Sequence, residues 1–149
     1  MTTYFQAASL PDPDVNPEFY DSIPTKRLVA WIIDSALIIA FCIAVLILTL
    51  GIAMFFLPPL ILVVGFVYRT ATLARGSATW GMALMAMEIR RHDGARLDWL
   101  TAMLHTLGYS VSVAFFVPQV ISVLMMLISP RAQGLTDHVL GTVAINRRV

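Results

Sequence analysis

The sequence predicts an all-α membrane protein, with a small bundle of about four membrane helices and a small cytoplasmic β element. The helices are expected to form two hairpins, the last helix being short. Apolar residues make up 58% of the 149-residue chain and charged residues only 13%, whereas a soluble domain carries about 25% charged residues. Three apolar runs, at 28–49, 52–68 and 98–129, are long enough for membrane helices. The formal net charge of +1 indicates no nucleic-acid partner.

Residues 1–24 are predicted to form a polar arm, and residues 25–149 the membrane domain. Prolines alternate with acidic residues in the arm, a composition that disfavours a packed core and favours an extended tail. Phe19 and Tyr20 stand just before the membrane domain. We expect these rings to lie among lipid headgroups as aromatic anchors; docking onto a partner is the alternative.

The first membrane helix begins near Arg27 and contains the least expected residue of the chain, Asp34. An unpaired carboxylate at the centre of a membrane helix costs roughly 2.5–3.5 kcal/mol. Asp34 lies two helical turns after Arg27, so both side chains occupy one helix face. We therefore expect this face to turn toward protein, and the small Ala30 would let another helix approach it closely.

The second apolar run follows the first almost at once. Leu50 and Gly51 mark a tight turn, so the first two helices are predicted to form an antiparallel hairpin. Pro58 and Pro59 lie inside the second run, where proline kinks a helix and frees backbone carbonyls. A packing bend is the simpler interpretation, and a functional hinge is the alternative. The helix is predicted to end near residue 68, with Arg69 directly after it.

A segment at the membrane surface separates the two predicted hairpins. Alternating apolar and polar residues predict a short strand at 85–90. A second strand at 142–146 can pair with it only if both lie on one side of the membrane. Lysine and arginine flank the same side of the first hairpin, which by the positive-inside rule is the cytoplasm. We therefore predict a protein of the bacterial inner (cytoplasmic) membrane with both termini in the cytoplasm.

The last apolar run, at 98–129, is too long for a simple span. As one helix it would measure about 48 Å, against about 30 Å for the membrane core. Pro118 near its middle favours two shorter helices, at 99–116 and 119–128, and one strongly tilted helix is the alternative. The second of these helices is short enough to be re-entrant or mismatched to the membrane.

Three short motifs follow one another along the chain. They are Arg27-x-x-Ala30-x-x-Ile33-Asp34, Gly76-x-x-Thr79-x-Gly81 and Gly134-Leu135-x-Asp137-x-x-x-Gly141-Thr142. With these motifs the chain resembles the RDD family of small membrane proteins. It departs from the family pattern at Met82 and His105, where members usually have basic residues. The resemblance implies the fold and the membrane location. It also implies a link to transport, because members are generally supposed to be transport-related, a few through sodium–proton exchange.

Five polar residues are the candidates for a site: Arg27, Asp34, His105, Asp137 and His138. Arg27, Asp34 and Asp137 form the family-signature network, in which Arg27 is expected to bond Asp137, Asp34 or both. One interpretation is a cation or proton site made by Asp34, His105 and His138. Asp34 would titrate there, and a histidine, whose ordinary pKa is near 6.5, would relay protons.

The other interpretation is a structural clasp. Arg27 would tie the first helix to the C-terminal segment. Asp34 would accept hydrogen bonds from a nearby hydroxyl group, that of Ser35, Thr106 or Ser110. The histidine spacing matches no zinc site, and the middle glycine motif lacks the lysine of a phosphate loop. We therefore predict neither a metal nor a cofactor.

The small size, the tight hairpins and the lack of catalytic groups favour a non-enzymatic integral membrane protein. We expect it to act as a subunit, or as an assembly or accessory factor, of a membrane complex. The alternative is a small secondary transporter or cation/proton exchanger that uses Asp34. The expected partners are the lipid bilayer and either other membrane-protein subunits or further copies of the chain.

Overall fold

The computed structural model describes residues 10–147, which are mostly helical. The helices are Ile23–Leu48 (α1), Leu57–Gly76 (α2), Trp80–Leu84 (α3), Trp99–Ala114 (α4), Phe116–Ile128 (α5) and Leu135–Leu140 (α6). The strands are Met87–Arg91 (β1) and Thr142–Asn146 (β2). Short 3-10 helices, Pro17–Phe19 and Ile52–Phe56, precede α1 and α2.

Helices α1 and α2 form the predicted hairpin. Each of them, taken with its preceding 3-10 helix, is long and apolar enough to cross a membrane. Leu50 and Gly51 have φ angles of 51° and 86°, so the chain reverses through left-handed backbone that glycine adopts without strain. The apolar side chains of both helices remain largely exposed, as expected for surfaces that face lipid.

Pro58 and Pro59 do not kink a membrane helix, contrary to the sequence prediction. They occupy the first turn of α2, where a helix needs no backbone N–H donor and the fixed proline φ suits helical geometry. Helix α2 begins at Leu57, later than predicted, and continues to Gly76, beyond its predicted end near residue 68. Arg69 therefore lies within the helix, buried, and does not follow it.

Residues 98–129 form two helices. The helix is interrupted at Phe115, where the direction of the chain bends by 116° between α4 and α5. Pro118 lies in the first turn of α5 and not at the break itself. If the bent pair counts as one span, the described residues contain three candidate spans, and otherwise two. The predicted bundle of four membrane helices is therefore not confirmed, whereas a mostly helical fold with candidate membrane spans is.

The predicted two-stranded β element is confirmed. Strands β1 and β2 pair antiparallel, with Ile89 opposite Ala144. The first strand begins at Met87, two residues later than predicted, because the backbone at Ala86 has a left-handed φ of 53°, which interrupts extended structure.

The N-terminal segment packs on this sheet. Phe19, Tyr20 and Leu10 are buried against Val143 and Ile145 of β2. The aromatic pair is therefore neither a headgroup anchor nor a free docking motif, and both expectations for it are wrong. Two rings and one leucine supply enough apolar surface for a small cluster despite the polar composition of the segment. The extended tail predicted for residues 1–24 is therefore not seen in its described part, which packs on the sheet and contains a 3-10 helix, and residues 1–9 lie outside the described residues.

The main apolar core lies where α1, β1 and α4 begin. Its members are alanine, branched aliphatic and methionine side chains: Ile23, Ala30, Leu73, Ala78, Met82, Met87, Ile89, Leu97, Ala102, Ala132 and Ala144. Ile23, Met87, Ile89, Ala102 and Ala144 are completely buried. This core holds α3 against α1 and so brings the middle and C-terminal motifs to the polar face of α1.

Candidate functional site

Asp34 is buried in a pocket made by α2 and α3, and only 1% of it is exposed. The hydroxyl of Tyr68 donates to its Oδ1 at 2.7 Å, and the hydroxyl of Thr79 donates to its Oδ2 at 2.6 Å. The backbone N–H of Gly81 donates to Oδ1 at 2.9 Å. Three donors therefore hold the carboxylate that the sequence singled out.

The local sequence explains why α3 can approach Asp34 so closely. Thr79 caps the start of α3, where its Oγ1 accepts from the N–H of Met82 at 3.2 Å, so a single hydroxyl both caps the helix and binds the carboxylate. A Cβ atom at Gly81 would overlap the carbonyl oxygen of Ala30 and lie 2.8 Å from Asp34 Oδ1. The close contact therefore requires glycine at this position.

Arg69 completes this group, which we call the Asp34 cluster (Asp34, Tyr68, Arg69, Thr79 and Gly81). Its Nη1 lies 3.6 Å from Asp34 Oδ2, and its guanidinium carbon lies 4.5 Å from the centre of the Tyr109 ring. Only 9% of Arg69 is exposed. The sequence prediction placed this arginine directly after the helix and did not include it among the candidate site residues.

Asp137 forms a second buried group at the start of α6. Arg27 Nη1 donates to its Oδ2 at 2.6 Å, as does the N–H of Gly134 at 3.0 Å. Its Oδ1 accepts from the hydroxyl of Thr142 at 2.9 Å and lies 3.0 Å from His105 Nε2. These five residues are the Asp137 cluster. It joins α1, α4, α6 and β2.

The electrostatics of the Asp137 cluster favour the charged carboxylate. Complete burial acts to raise the pKa of Asp137. The positive charge of Arg27 and the hydrogen bonds from His105 and Gly134 outweigh burial and hold that pKa well below its usual range. Because an ionised carboxylate only accepts hydrogen bonds, His105 Nε2 must carry a hydrogen.

The structure does not gather the predicted ion or proton site into one group. Asp34 and His105 lie in different clusters. The largely exposed His138 places its Nδ1 2.9 Å from the carbonyl oxygen of Gly134.

None of the three hydroxyls predicted to bond Asp34 does so, and two of them are engaged elsewhere. Those of Thr106 and Ser110 donate to helix carbonyls one turn earlier. Tyr68 and Thr79 reach Asp34 first because α2 and α3 both pack on its side of α1.

Both clusters line one cavity of about 580 Å³ between α1, α2, α4 and α5. Arg27, Asp34, Arg69, His105 and Asp137 contribute to its wall, which is otherwise mostly apolar. Across residues 10–147, no group of three or more histidine, cysteine or acidic side chains is arranged to hold a metal ion.

Comparison with known proteins identifies the family. No curated protein and no solved structure matches the chain. The model of the RDD family matches residues 23–141, a range that contains every residue of both clusters except Thr142. The chain therefore belongs to the RDD family of membrane proteins.

Proposed function

We propose that this chain is a non-enzymatic accessory or assembly protein of a membrane complex, and that its signature residues hold its architecture. The observation behind the proposal is that both buried carboxylates are already occupied by protein donors. A carboxylate offers about four acceptor positions. Asp34 fills three with hydrogen bonds and lies near Arg69, and Asp137 has four partners.

Occupied carboxylates are poorly suited to carry a moving ion. A cation arriving at Asp34 would have to displace two hydroxyls and one backbone N–H that is fixed by the close packing of α3. Each buried donor left without an acceptor costs about 1–3 kcal/mol. This arrangement supports a permanent clasp more than a site that exchanges its ligand.

The fold also supports a specific membrane topology. Strand β1 precedes α4 and β2 follows α6, yet the two strands pair. If α4 and α5 made one crossing, the strands would lie on opposite sides of the membrane. We propose that α1 and α2 cross the membrane, that α4 and α5 enter and leave on one side, and that this side is the cytoplasm of a bacterial inner membrane, following the positive-inside rule.

The bent pair offers a place for a partner. Helices α4 and α5, with 16 and 13 residues, measure about 24 Å and about 20 Å, which is less than the roughly 30 Å of the membrane core. The membrane space beyond Phe115 is therefore not filled by the described part of this chain. Another subunit, or a second copy of the chain, would fill it with protein and cover the exposed tip of the hairpin.

The test is purification in a mild detergent at the native expression level, followed by measurement of the complex mass and composition. We expect a larger complex of fixed stoichiometry. Asp34→Asn should lower the amount of folded chain and of complex together, and the exposed Asp93→Asn should change neither. A homogeneous assembly of this chain alone, unchanged by Asp34→Asn, would contradict the accessory role.

The cavity favours a second candidate, a small secondary transporter or cation/proton exchanger. Asp34 and Asp137 both line it, so an ion inside would meet both carboxylates. This function predicts ion flux in liposomes containing only the purified chain. It also predicts that Asp34→Asn abolishes the flux while leaving the chain folded, the opposite of what a clasp predicts.

A further inference from the structure

Arg69 is a buried cation whose hydrogen bonds are incomplete. Its ion pair with Asp34 spans 3.6 Å, longer than a hydrogen bond of about 2.7–3.2 Å. Within residues 10–147 its guanidinium makes no hydrogen bond, although this group carries five N–H donors. Buried arginine is normally paired and hydrogen-bonded, because removing a charge from water is costly. The described residues therefore provide no hydrogen-bond acceptor for this side chain.

The groups around Arg69 restrict the kind of hydrogen-bond acceptor that its guanidinium can bind. Asp34 cannot approach more closely without giving up Tyr68, Thr79 or Gly81. The Tyr109 ring covers one face of the guanidinium and so leaves the N–H groups at its edge for an in-plane acceptor. Since Arg69 lines the cavity, an anion with two or more oxygens could bind there through paired hydrogen bonds.

A second arginine adds positive charge to the same cavity. Arg27 uses Nη1 on Asp137, and no other hydrogen bond from its guanidinium is made in the described chain. The two carboxylates of the cavity wall have their oxygens turned toward their own donors. An entering anion would therefore meet guanidinium N–H groups that are not used by protein.

Most of the remaining wall is apolar, apart from hydroxyl and amide side chains such as Ser112, Gln119 and Thr136, and it opens toward the membrane. Val113, Val123 and Leu127 line the cavity and are 45%, 42% and 64% exposed, so this side communicates with the lipid that surrounds α4 and α5. A cavity with one polar end and an apolar wall suits an amphiphile. A freely soluble anion would leave most of this wall without contact.

We propose that this cavity binds an anionic phospholipid, with its phosphate on Arg69 and an acyl chain along Val113, Val123 and Leu127. This assignment goes beyond the accessory role, which requires no ligand. It makes the hairpin of α4 and α5 a lipid-binding element, in which the Asp137 cluster ties α4 to α1 and α6.

The test measures lipid binding to the purified full-length chain in neutral detergent by native mass spectrometry. Dioleoyl phosphatidylglycerol is compared with dioleoyl phosphatidylcholine, which has the same chains and no net charge. We expect phosphatidylglycerol to bind at least about tenfold more tightly, and Arg69→Gln to remove about that tenfold preference, as expected for the loss of one charge-assisted interaction. Arg75→Gln is the matched control, because Arg75 is an exposed arginine of the same helix.

Three results would overturn the proposal. The first is equal affinity for the two lipids, and the second is an equal loss from Arg69→Gln and Arg75→Gln, which would indicate attraction to the surface only. The third is that inorganic phosphate alone stabilises the chain against thermal unfolding as much as phosphatidylglycerol does, which would indicate a site for a soluble anion. If Arg69→Gln does not fold, Val123→Trp decides, because its larger ring narrows the proposed path of the acyl chain without changing any charge. It should weaken binding of phosphatidylglycerol, and undiminished binding would refute the site. The isolated chain is used, so the outcome does not depend on a partner subunit.

Discussion

Asp137→Asn tests the structural role of the signature residues most directly. Asp137 is fully buried, and the side chain of Arg27 is only 14% exposed. Both carboxylate oxygens accept from two partners each. An asparagine amide NH₂ on the Oδ2 side would face the obligate donors of Arg27 and Gly134. On the Oδ1 side it would require His105 and the Thr142 hydroxyl to change from donating to accepting. The substitution also leaves Arg27 as a buried cation without a counter-charge. Breaking such a pair costs about 3–5 kcal/mol, a large share of the 5–15 kcal/mol that stabilises a typical fold.

The assay is reversible unfolding of the purified protein in mixed micelles, followed by circular dichroism. Asp93→Asn is the control, because Asp93 forms an exposed ion pair with Arg91 at 3.3 Å and should lose less than about 1 kcal/mol. Arg27→Met combined with Asp137→Asn should cost less than the sum of the two single changes, by about 0.5–3 kcal/mol. If Asp137→Asn unfolds like the control and the double change is additive, the pair does not hold α1 to α6, and our reasoning is refuted.

Two further predictions concern close packing and pH. Gly81→Ala should destabilise the fold by at least about 1–3 kcal/mol, because the new methyl group meets the rigid carbonyl of Ala30, whereas Gly76→Ala, with open space around it, should be nearly neutral. Thermal melting of the two variants side by side measures this, and equal melting temperatures would show that α3 does not approach α1 so closely. Because the pKa of Asp137 is lower in the folded state than in the unfolded state, its ionised carboxylate stabilises the fold. This stabilisation is fully present above the ordinary carboxyl pKa of about 3.9 and is lost as the pH falls through the folded-state pKa. The stability difference between the wild type and Asp137→Asn should therefore be constant from pH 7 to about pH 5 and shrink below pH 4; a difference that narrows already at pH 6 would point to another group.

The sequence was sufficient for features that depend on nearby residues. The two long apolar runs and the turn at Gly51 predicted the first hairpin, because a membrane helix needs only a continuous apolar stretch of sufficient length. The strand pair was predictable because alternation is visible within six residues. Pro58 and Pro59 were misread because an uninterrupted apolar run does not show where its helix begins. The 3-10 helix at Ile52–Phe56 moved that start to Leu57.

The partners of the buried charges could not be predicted in the same way. Asp34 bonds residues 34, 45 and 47 positions away in the sequence, and periodicity carries no information on such distances. One signal was nevertheless available for Arg69. It lies 17 residues after Ile52, where the apolar run begins, or about 26 Å along a helix, which is still within the roughly 30 Å membrane core. An arginine at that depth is expected to have a partner.

Helix α1 connects the two clusters, and this connection bears on what the family signature means. Arg27 and Asp34 lie on one face of α1, two turns apart. Asp34 fixes α2 and α3 to this face, and Arg27 fixes α6 through Asp137. Through these two clusters the three signature residues help to fix α2, α3, α4, α6 and β2 relative to the first helix. A set of residues that defines packing can be shared by proteins with different activities, because function depends on the groups placed on that framework. Under the lipid-binding proposal those groups are Arg69 and the cavity wall. Variation among family members at these positions, rather than at the signature, should then follow differences in what they bind.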